Sequence, residues 1–159
     1  MAGGKTGPNP TDRGKLGAKR SVLTEGSGVP IGLAIDGANC PDYQLVEGTL
    51  WSIPVARPEP TPEHPQHLCL DKGYDDDDVH GVLFEFGYTP HIRARGEETR
   101  ELRRDLGHRA RRWVVERTHS WLNRFRRILI RWEKTWESAL GFLHLACAMI
   151  TSRAAGLLG

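Results

Sequence analysis

Two β-prone runs on either side of a glycine-bearing turn constrain the first part of this chain. Residues 20–24 and 29–36 flank the turn 25–28, which has glycine at two of its four positions. Short β-prone runs joined by such a turn predict a β-hairpin. Residues 1–19 are rich in Gly, Pro, Lys and Asp and lack a hydrophobic period, so we expect an extended basic segment there and the folded domain over 20–159.

A proline-rich stretch separates the hairpin from a second group of elements. Half of the ten prolines fall within residues 51–66, which predicts a loop, and a short helix is expected before it at 41–50. The following pattern predicts a strand at 67–70, a helix at about 79–87 capped by Asp75 to Asp78, and a strand at 88–92.

Helical periodicity dominates the last third of the chain. After a charged connection at 93–107, apolar residues recur at helical spacing from Val114 to Leu129, which predicts one amphipathic helix. A second helix is expected over 136–155 and should be largely buried, because small or apolar residues surround its apolar stripe. Strands and helices mixed in a chain of 159 residues predict a single α/β domain.

The charges are segregated along the sequence, although the net charge is only +2. Residues 1–20 carry five Lys/Arg against one Asp, residues 21–90 carry two against twelve acids, and residues 91–134 carry fourteen against six. Such asymmetry indicates a highly charged partner. Basic blocks flanking an acidic centre suit a site that holds metal ions next to phosphates.

Several other classes of protein are disfavoured. The three cysteines, Cys40, Cys69 and Cys147, are odd in number and have no Cys-x-x-Cys spacing, which argues against a disulfide scaffold or a zinc knuckle and fits a reducing cytoplasm. No apolar stretch reaches the ~20 residues that span a bilayer, so no membrane partner is expected. Lys5 and Thr6 lack the upstream glycine, strand and following helix of a P-loop.

Two carboxylates stand out as candidate catalytic groups. Asp71 follows an apolar strand, where enzymes built on sheets present working groups, although a turn-capping or helix-capping role is the alternative. Glu116 lies among arginines, with Arg112 four residues before it and Asn123 seven after it on one helix face; ion pairing is the alternative. Two-metal phosphoryl transfer needs carboxylates from different elements surrounded by positive charge, and Asp71 and Glu116 fit that need.

Three segments of the sequence resemble the catalytic half of bacterial insertion-sequence transposases of the DDE class. They are GGKTGPNPTDRGKLGAKR at 3–20, DKGYD at 71–75, and RWVVERTHSWLNRFRR at 112–127, followed by Glu133 and Lys134. The resemblance implies an RNase-H-like fold with a mixed sheet and flanking helices. It also implies a two-ion site for Mg²⁺ or Mn²⁺, in which three carboxylates activate water and then a DNA 3′-hydroxyl for attack on phosphodiesters.

The resemblance assigns roles to single residues. Asp71 matches the second acid and Glu116 the third, both as metal ligands, and Arg112 matches an arginine that contacts DNA. Two positions depart from the family pattern, because its tyrosine falls at Arg109 and its basic residue after the glutamate falls at Asn123. The predicted DNA-binding set is Arg112, Arg109, Asn123, Arg124, Arg127, Lys15, Lys19 and Arg20.

The family's first catalytic Asp precedes the segment that begins at Gly3, so the resemblance implies an incomplete fold whose central first strand is missing. We therefore expect an incomplete two-ion site and no cutting or joining of DNA by this chain alone. Asp36, at the end of the hairpin, is the alternative candidate for the first acid. The expected protein partner is a second copy or an upstream transposase segment that complements the chain.

The expected function is DNA transposition. The chain would bind double-stranded DNA, at the element's terminal repeats and the target, and would hydrolyse and transfer strands when complete. Its expected location is the bacterial cytoplasm, in association with the nucleoid. One alternative is a catalytically dead DNA-binding remnant that interferes with intact transposase, and another is a self-sufficient RNase-H-like nuclease.

Overall fold

Short strands and helices alternate along the chain, and a computed structural model describes them for residues 5–93 and 112–158. In chain order they are β1 (Gly7–Pro8), β2 (Leu16–Thr24), β3 (Pro30–Gly37), a 3-10 helix (Asp42–Leu45), α1 (Val46–Trp51), β4 (Gln66–Asp71), a second 3-10 helix (Lys72–Tyr74), α2 (Asp77–Glu85), β5 (Tyr88–Arg93), α3 (Arg112–Asn123), α4 (Arg126–Leu129) and α5 (Trp136–Ala154). The α/β class is thus confirmed.

The chain divides into two compact units. Residues 1–54 and 113–159 form the first unit, and residues 55–112 form the second. A three-stranded sheet with the order β1-β2-β3 belongs to the first unit, and a two-stranded sheet, β4-β5, belongs to the second. Within residues 5–93 and 112–158, no strand joins the two sheets.

The hairpin predicted at the start of the chain is confirmed. β2 and β3 pair antiparallel, with Val22 opposite Leu33, and β2 begins at Leu16, four residues before the expected start. The connecting turn is held by the Glu25 carboxylate, which accepts the backbone N–H groups of Ser27 at 2.9 Å and Val29 at 2.8 Å. Slight burial opposes ionisation, yet the hydrogen bond from the Ser27 hydroxyl, together with these two from the backbone, lowers the pKa of Glu25. The turn is therefore stabilised by a carboxylate that stays charged.

The short α1 helix lies very close to β3. A Cβ atom on Gly32 would come within 2.7 Å of the Thr49 carbonyl oxygen, so only glycine allows this approach. The buried Thr49 hydroxyl lies 2.7 Å from the Ser21 hydroxyl on β2 and 2.6 Å from the Leu45 carbonyl. The 3-10 helix and α1 together confirm the helix expected at 41–50.

Helices α3 and α5 pack with the hairpin in one apolar core. Its buried members are Leu33, Leu122, Leu143, Ala146, Cys147 and Ile150. Burial raises the pKa of the Cys147 thiol to about 11, so this thiol is neutral at neutral pH. The predicted α5 helix is confirmed, but its burial is limited to one stripe, because Phe142 and Leu145 are 37% and 57% exposed.

The helix predicted to run from Val114 to Leu129 is interrupted. α3 ends at Asn123, Phe125 adopts an extended backbone with ψ of 96°, and α4 restarts at Arg126. The interruption turns Leu129 outward, and this side chain is 55% exposed instead of packed. Phe125 itself packs against the core.

The second unit contains a strand, helix and strand in succession. β4 and β5 pair in parallel, with Leu68 opposite Pro90, which confirms both predicted strands. In α2, Val79 and Leu83 are buried, and the Asp76 carboxylate caps the helix by accepting the Asp78 N–H at 3.0 Å. No helix in the described part of the chain is long and apolar enough to cross a membrane.

Candidate functional site

Asp71 is the last residue of β4 and is exposed. Its carboxylate accepts the backbone N–H of Lys72 at 2.8 Å, which caps the second 3-10 helix. The structure therefore confirms the capping role that the sequence offered as an alternative for Asp71. This hydrogen bond holds the carboxylate in place, and carboxylate oxygens are the kind of ligand that Mg²⁺ prefers.

Glu116 lies on the exposed side of α3. The buried side of the same helix presents Val114, Thr118 and Leu122, as the helical spacing predicted. Among the described side chains none forms an ion pair with Glu116. Arg112, one turn earlier and predicted to contact DNA, begins α3, and its side chain lies outside the described residues.

The position of α3 is fixed by hydrogen bonds to the turn of the hairpin. The Thr118 hydroxyl, fully buried, lies 2.6 Å from the Gly28 carbonyl oxygen, and the Arg117 guanidinium donates to the Ser27 carbonyl. Gly28 has a φ of +89°, and a Cβ atom there would lie 2.9 Å from the Arg117 guanidinium. This turn therefore sets where α3 presents Glu116.

A second contact holds the other end of α3. The Arg20 guanidinium on β2 donates to the Asn123 side-chain oxygen at 3.0 Å, so two residues predicted to bind DNA bind each other. Burial lowers the pKa of Arg20, and burial together with the Arg20 charge lowers the pKa of His119. His119 is therefore held neutral at neutral pH, beside a fixed cation.

The remaining residues predicted to bind DNA differ in exposure. Lys15 is 68% exposed and lies 3.4 Å from the Asp12 carboxylate, whereas Lys19 is only 28% exposed and contacts Cys40 and Asp42. Arg124 is exposed. Arg109 lies outside the described residues.

The connection between α3 and α5, residues 124–134, forms a basic surface with exposed apolar side chains. Arg127 is 58% exposed and donates to Glu133 at 2.7 Å, and the Glu133 side chain is only 5% exposed. The one acid of this connection is thus neutralised, while Arg124, Arg126 and Lys134 remain exposed. Trp132, 69% exposed, projects from the same connection.

Asp36, the alternative first acid, is near the end of β3. Its carboxylate accepts the N–H of Gly37 at 2.7 Å and lies 3.7 Å from the Lys5 ammonium. Asp71 belongs to the second unit and Glu116 to the first, and their convergence on one pair of ions stays a prediction. In the described ranges, no three His, Cys, Asp or Glu side chains form a group able to hold a metal ion.

Two structural features were not anticipated from the sequence. The Thr118 contact with Gly28 needs the hairpin turn and α3 to meet, and nothing local to either segment indicates it. On the β4-β5 pair, the rings of His67 and His91 approach within hydrogen-bonding distance. The alternation of His67 and Cys69 along a strand was a signal that could have indicated a shared face.

Comparisons with known proteins agree on one family. Residues 2–151 match the family described as the transposase DDE domain. A protein of Burkholderia cepacia, named as a candidate transposase for insertion sequence element IS402, is 37% identical over 149 residues, covering 92% of this chain and 68% of that protein. A protein of Brucella ovis, named as a candidate transposase for insertion sequence element IS6501, is 33% identical over 88 residues, covering 55% of this chain and 68% of that protein. No solved structure matches.

Proposed function

This chain belongs to the transposase DDE domain family and is a transposase of an insertion sequence, and from this premise we propose that Asp71 and Glu116 are two of its metal-binding catalytic carboxylates. The observation that carries the proposal is the placement of both acids. Each is exposed, one at the carboxyl end of a parallel strand and one on a helix fixed to the hairpin, within a family match that spans residues 2–151.

The donor chemistry of these side chains fits the divalent ions that the family uses. Mg²⁺ and Mn²⁺ prefer oxygen ligands, and carboxylates supply them. Bound ions would polarise the scissile phosphodiester and activate the attacking oxygen. Lys72 keeps the Asp71 carboxylate oriented through its backbone N–H, and the contact between Thr118 and Gly28 keeps α3, and with it Glu116, in place.

We also propose an RNase-H-like arrangement for the domain. An antiparallel hairpin and a parallel strand, helix and strand unit are the two kinds of piece that a mixed sheet of this type contains. The division into a basic segment at 1–19 and a catalytic region at 20–159 remains part of this proposal. The homo-oligomer and the complementing upstream segment remain proposed protein partners.

DNA binding is proposed to be mainly electrostatic and to use the connection at 124–134. Arg124, Arg127 and Lys134 are exposed there, and the neighbouring acid, Glu133, is already paired. The substrate is double-stranded DNA at the element's ends and at the target, with the bacterial nucleoid as the place of action. Arg109, Arg112, Lys15 and Lys19 are proposed further contacts to phosphates. Arg20 and Asn123 support α3 through their mutual hydrogen bond. They are proposed to contact DNA only at the edge of the binding surface.

Metal binding tests the assignment of the two acids. Asp71→Asn and Glu116→Gln should each weaken Mn²⁺ binding by about tenfold or more, because each removes a charged oxygen ligand. Asp78→Asn and Glu137→Gln remove exposed carboxylates from α2 and α5 and should leave the affinity unchanged. Unchanged Mn²⁺ affinity in both test variants would contradict the assignment. Mg²⁺-dependent cleavage of terminal-repeat DNA, wherever it is observed, should disappear with the same two substitutions.

Salt dependence tests the DNA-binding surface. For duplex DNA, the logarithm of the association constant should fall linearly with the logarithm of the salt concentration, by about 0.9 per phosphate contact. The double variant Arg124→Ala, Arg127→Ala should therefore lower the slope by about 1 to 2. Arg153→Ala, an exposed cation at the end of α5, is the matched control. Binding that ignores ionic strength would contradict the proposed surface, and binding without cleavage under any condition would favour the DNA-binding remnant.

A further inference from the structure

The exposed side of α5 carries no charge over four turns. Between Glu137 and Arg153, none of the fifteen residues at 138–152 is Asp, Glu, Lys or Arg, although 26% of the whole sequence is charged. The residues that pack on the hairpin, among them Leu143 and Ile150, lie on one side of this helix. A helix whose other side faces water normally places its charged residues there. The composition of α5 therefore indicates that its exposed side contacts protein.

Apolar side chains form the middle of this uncharged side. Leu145 is 57% and Phe142 37% exposed, and Met149 is half-buried. Successive residues of a helix turn by ~100°, which places these three within ~60° of one another. Gly141 and Ala148 lie on the other side of Leu145, and a Cβ atom on Gly141 would have open space around it. These five residues are named the α5 face.

We propose that the α5 face binds the α5 face of a second copy of this chain, with the two helices antiparallel and a two-fold axis at the level of Leu145. The inference gives a surface to the homo-oligomer of the proposed function and rests on that proposal. A two-fold contact requires a surface that is complementary to itself. DNA does not suit this face, because an uncharged surface offers no cation to the phosphates.

The symmetry brings a matching pair of residues together on each side of Leu145. Phe142 precedes Leu145 by three residues and Met149 follows it by four, so Phe142 of one copy lies ~1.5 Å along the axis from Met149 of the other. Both lie on the same side of the helix, where the ring and the sulfur make a favourable contact. Gly141 and Ala148 meet in the same way on the opposite side, and their small size lets the helices approach closely.

The charges favour the antiparallel order over the parallel one. In a parallel pair, Glu137 would lie level with Glu137 and Arg153 with Arg153, and the basic connections at 124–134 would be neighbours. In the antiparallel pair, Glu137 lies level with Arg153 of the other copy, because each is eight residues from Leu145. The two helices then begin ~27 Å apart. Charges interact over ~10 Å at 0.1 M salt, so the two connections do not repel each other.

The size of the contact predicts weak and reversible association. The stretch from Ser138 to Ser152 is ~21 Å long and a helix is ~10 Å wide, which gives roughly 400 Å² for the two copies together. Stable protein interfaces bury about 1,200–2,000 Å². The dissociation constant of the dimer should therefore lie above about 1 μM.

Sedimentation equilibrium of the whole chain, without DNA or metal, measures this association over about 1–500 μM. We expect a reversible equilibrium between monomer and dimer. Leu145→Glu places two like charges at the two-fold axis and should weaken the dimer by about tenfold or more. Phe84→Glu makes a similar change at an exposed apolar residue of the second unit, so this control should dimerise like the parent.

Gly141→Leu separates association from folding. The space around Gly141 is open in the single chain, and leucine favours a helix more than glycine does. The variant should therefore unfold at the urea midpoint of the parent or above it. It should nevertheless weaken the dimer by about tenfold or more, because the new side chain fills the space that Ala148 of the other copy would occupy.

Cross-linking tests the antiparallel order. In a background with Cys40→Ser and Cys69→Ser, one sample carries Phe142→Cys and a second carries Met149→Cys. Oxidation of the mixture should join one chain of each kind. Either sample alone should give little product, because like positions are ~9 Å and ~12 Å apart along the axis. Efficient cross-linking within a single sample would contradict the antiparallel order.

The remaining outcomes decide the proposal itself. A chain that stays monomeric up to about 500 μM overturns it, as does a dimer that Leu145→Glu and Gly141→Leu leave unchanged. Pairing of the α5 face with an upstream transposase segment, and not with a second copy, would overturn it as well. Because the measurement contains no DNA or metal, failure here is distinct from failure of the proposed metal site. Leu145→Glu should bind Mn²⁺ like the parent in either case.

Discussion

Removal of the Thr118 hydroxyl is the perturbation that most directly tests how α3 is held. Thr118 is 0% exposed, and its hydroxyl lies 2.6 Å from the carbonyl of the buried Gly28. Thr118→Val keeps the shape of the side chain but deprives that carbonyl of its donor. An unsatisfied buried acceptor costs about 1–3 kcal/mol, and the added methyl recovers ~0.8 kcal/mol by burial. The expected loss in the free energy of unfolding is therefore about 0.2–2 kcal/mol.

Two companion variants divide this loss between hydroxyl and methyl. Thr118→Ser keeps the donor and loses one buried methyl, for an expected loss of about 1 kcal/mol. Thr118→Ala loses both groups and should cost more than either. Ser120→Ala, at an exposed position on the same helix, should change stability by less than about 0.5 kcal/mol.

Tryptophan fluorescence during urea denaturation is the appropriate assay. All five tryptophans belong to the first unit, so their fluorescence reports on that unit alone. The tryptophans are Trp51, Trp113, Trp121, Trp132 and Trp136. The urea midpoint of Thr118→Val should fall, whereas the slope of the free energy of unfolding with urea concentration should stay constant. If Thr118→Val unfolds at the parent's midpoint, the hydrogen bond to the turn does not hold α3, and the reasoning is refuted.

Three further predictions concern other parts of the molecule. Because burial and Arg20 lower the pKa of His119, the unfolded chain gains a proton first as the pH falls below about 6.5. The first unit should therefore lose stability below that pH, and His119→Gln should flatten the dependence measured by urea midpoints. Leu83→Ala, at a position 0% exposed, should destabilise the second unit by about 2–5 kcal/mol in hydrogen exchange. Phe84→Ala, at its 84% exposed neighbour, should cost less than about 0.5 kcal/mol. Gly28→Ala should lower the free energy of unfolding of the first unit, measured by urea denaturation, by more than about 1 kcal/mol, because φ is +89° there; parental stability would contradict the close packing of this turn.

The sequence by itself determined most of the local elements. The glycine-bearing turn at 25–28 specified the hairpin, and the apolar run ending at Asp71 specified β4. Helical spacing of apolar residues specified the buried side of α3 and the stripe of α5. These features depend on side-chain period and turn chemistry, which act over a few residues and are therefore readable from the order of residues alone.

Tertiary contacts decided where helices end and which polar groups meet. The α3 helix stops at Asn123 although no proline or glycine is present, and Phe125 packs into the core from an extended backbone. Arg20 and Asn123, both expected to meet DNA, meet each other across 103 residues of sequence. The facing of His67 and His91 depends on the parallel register of β4 and β5. Such pairings result from the packing of distant segments. The contacts that stabilise them join residues far apart in the sequence, so no local stretch of the chain indicates them.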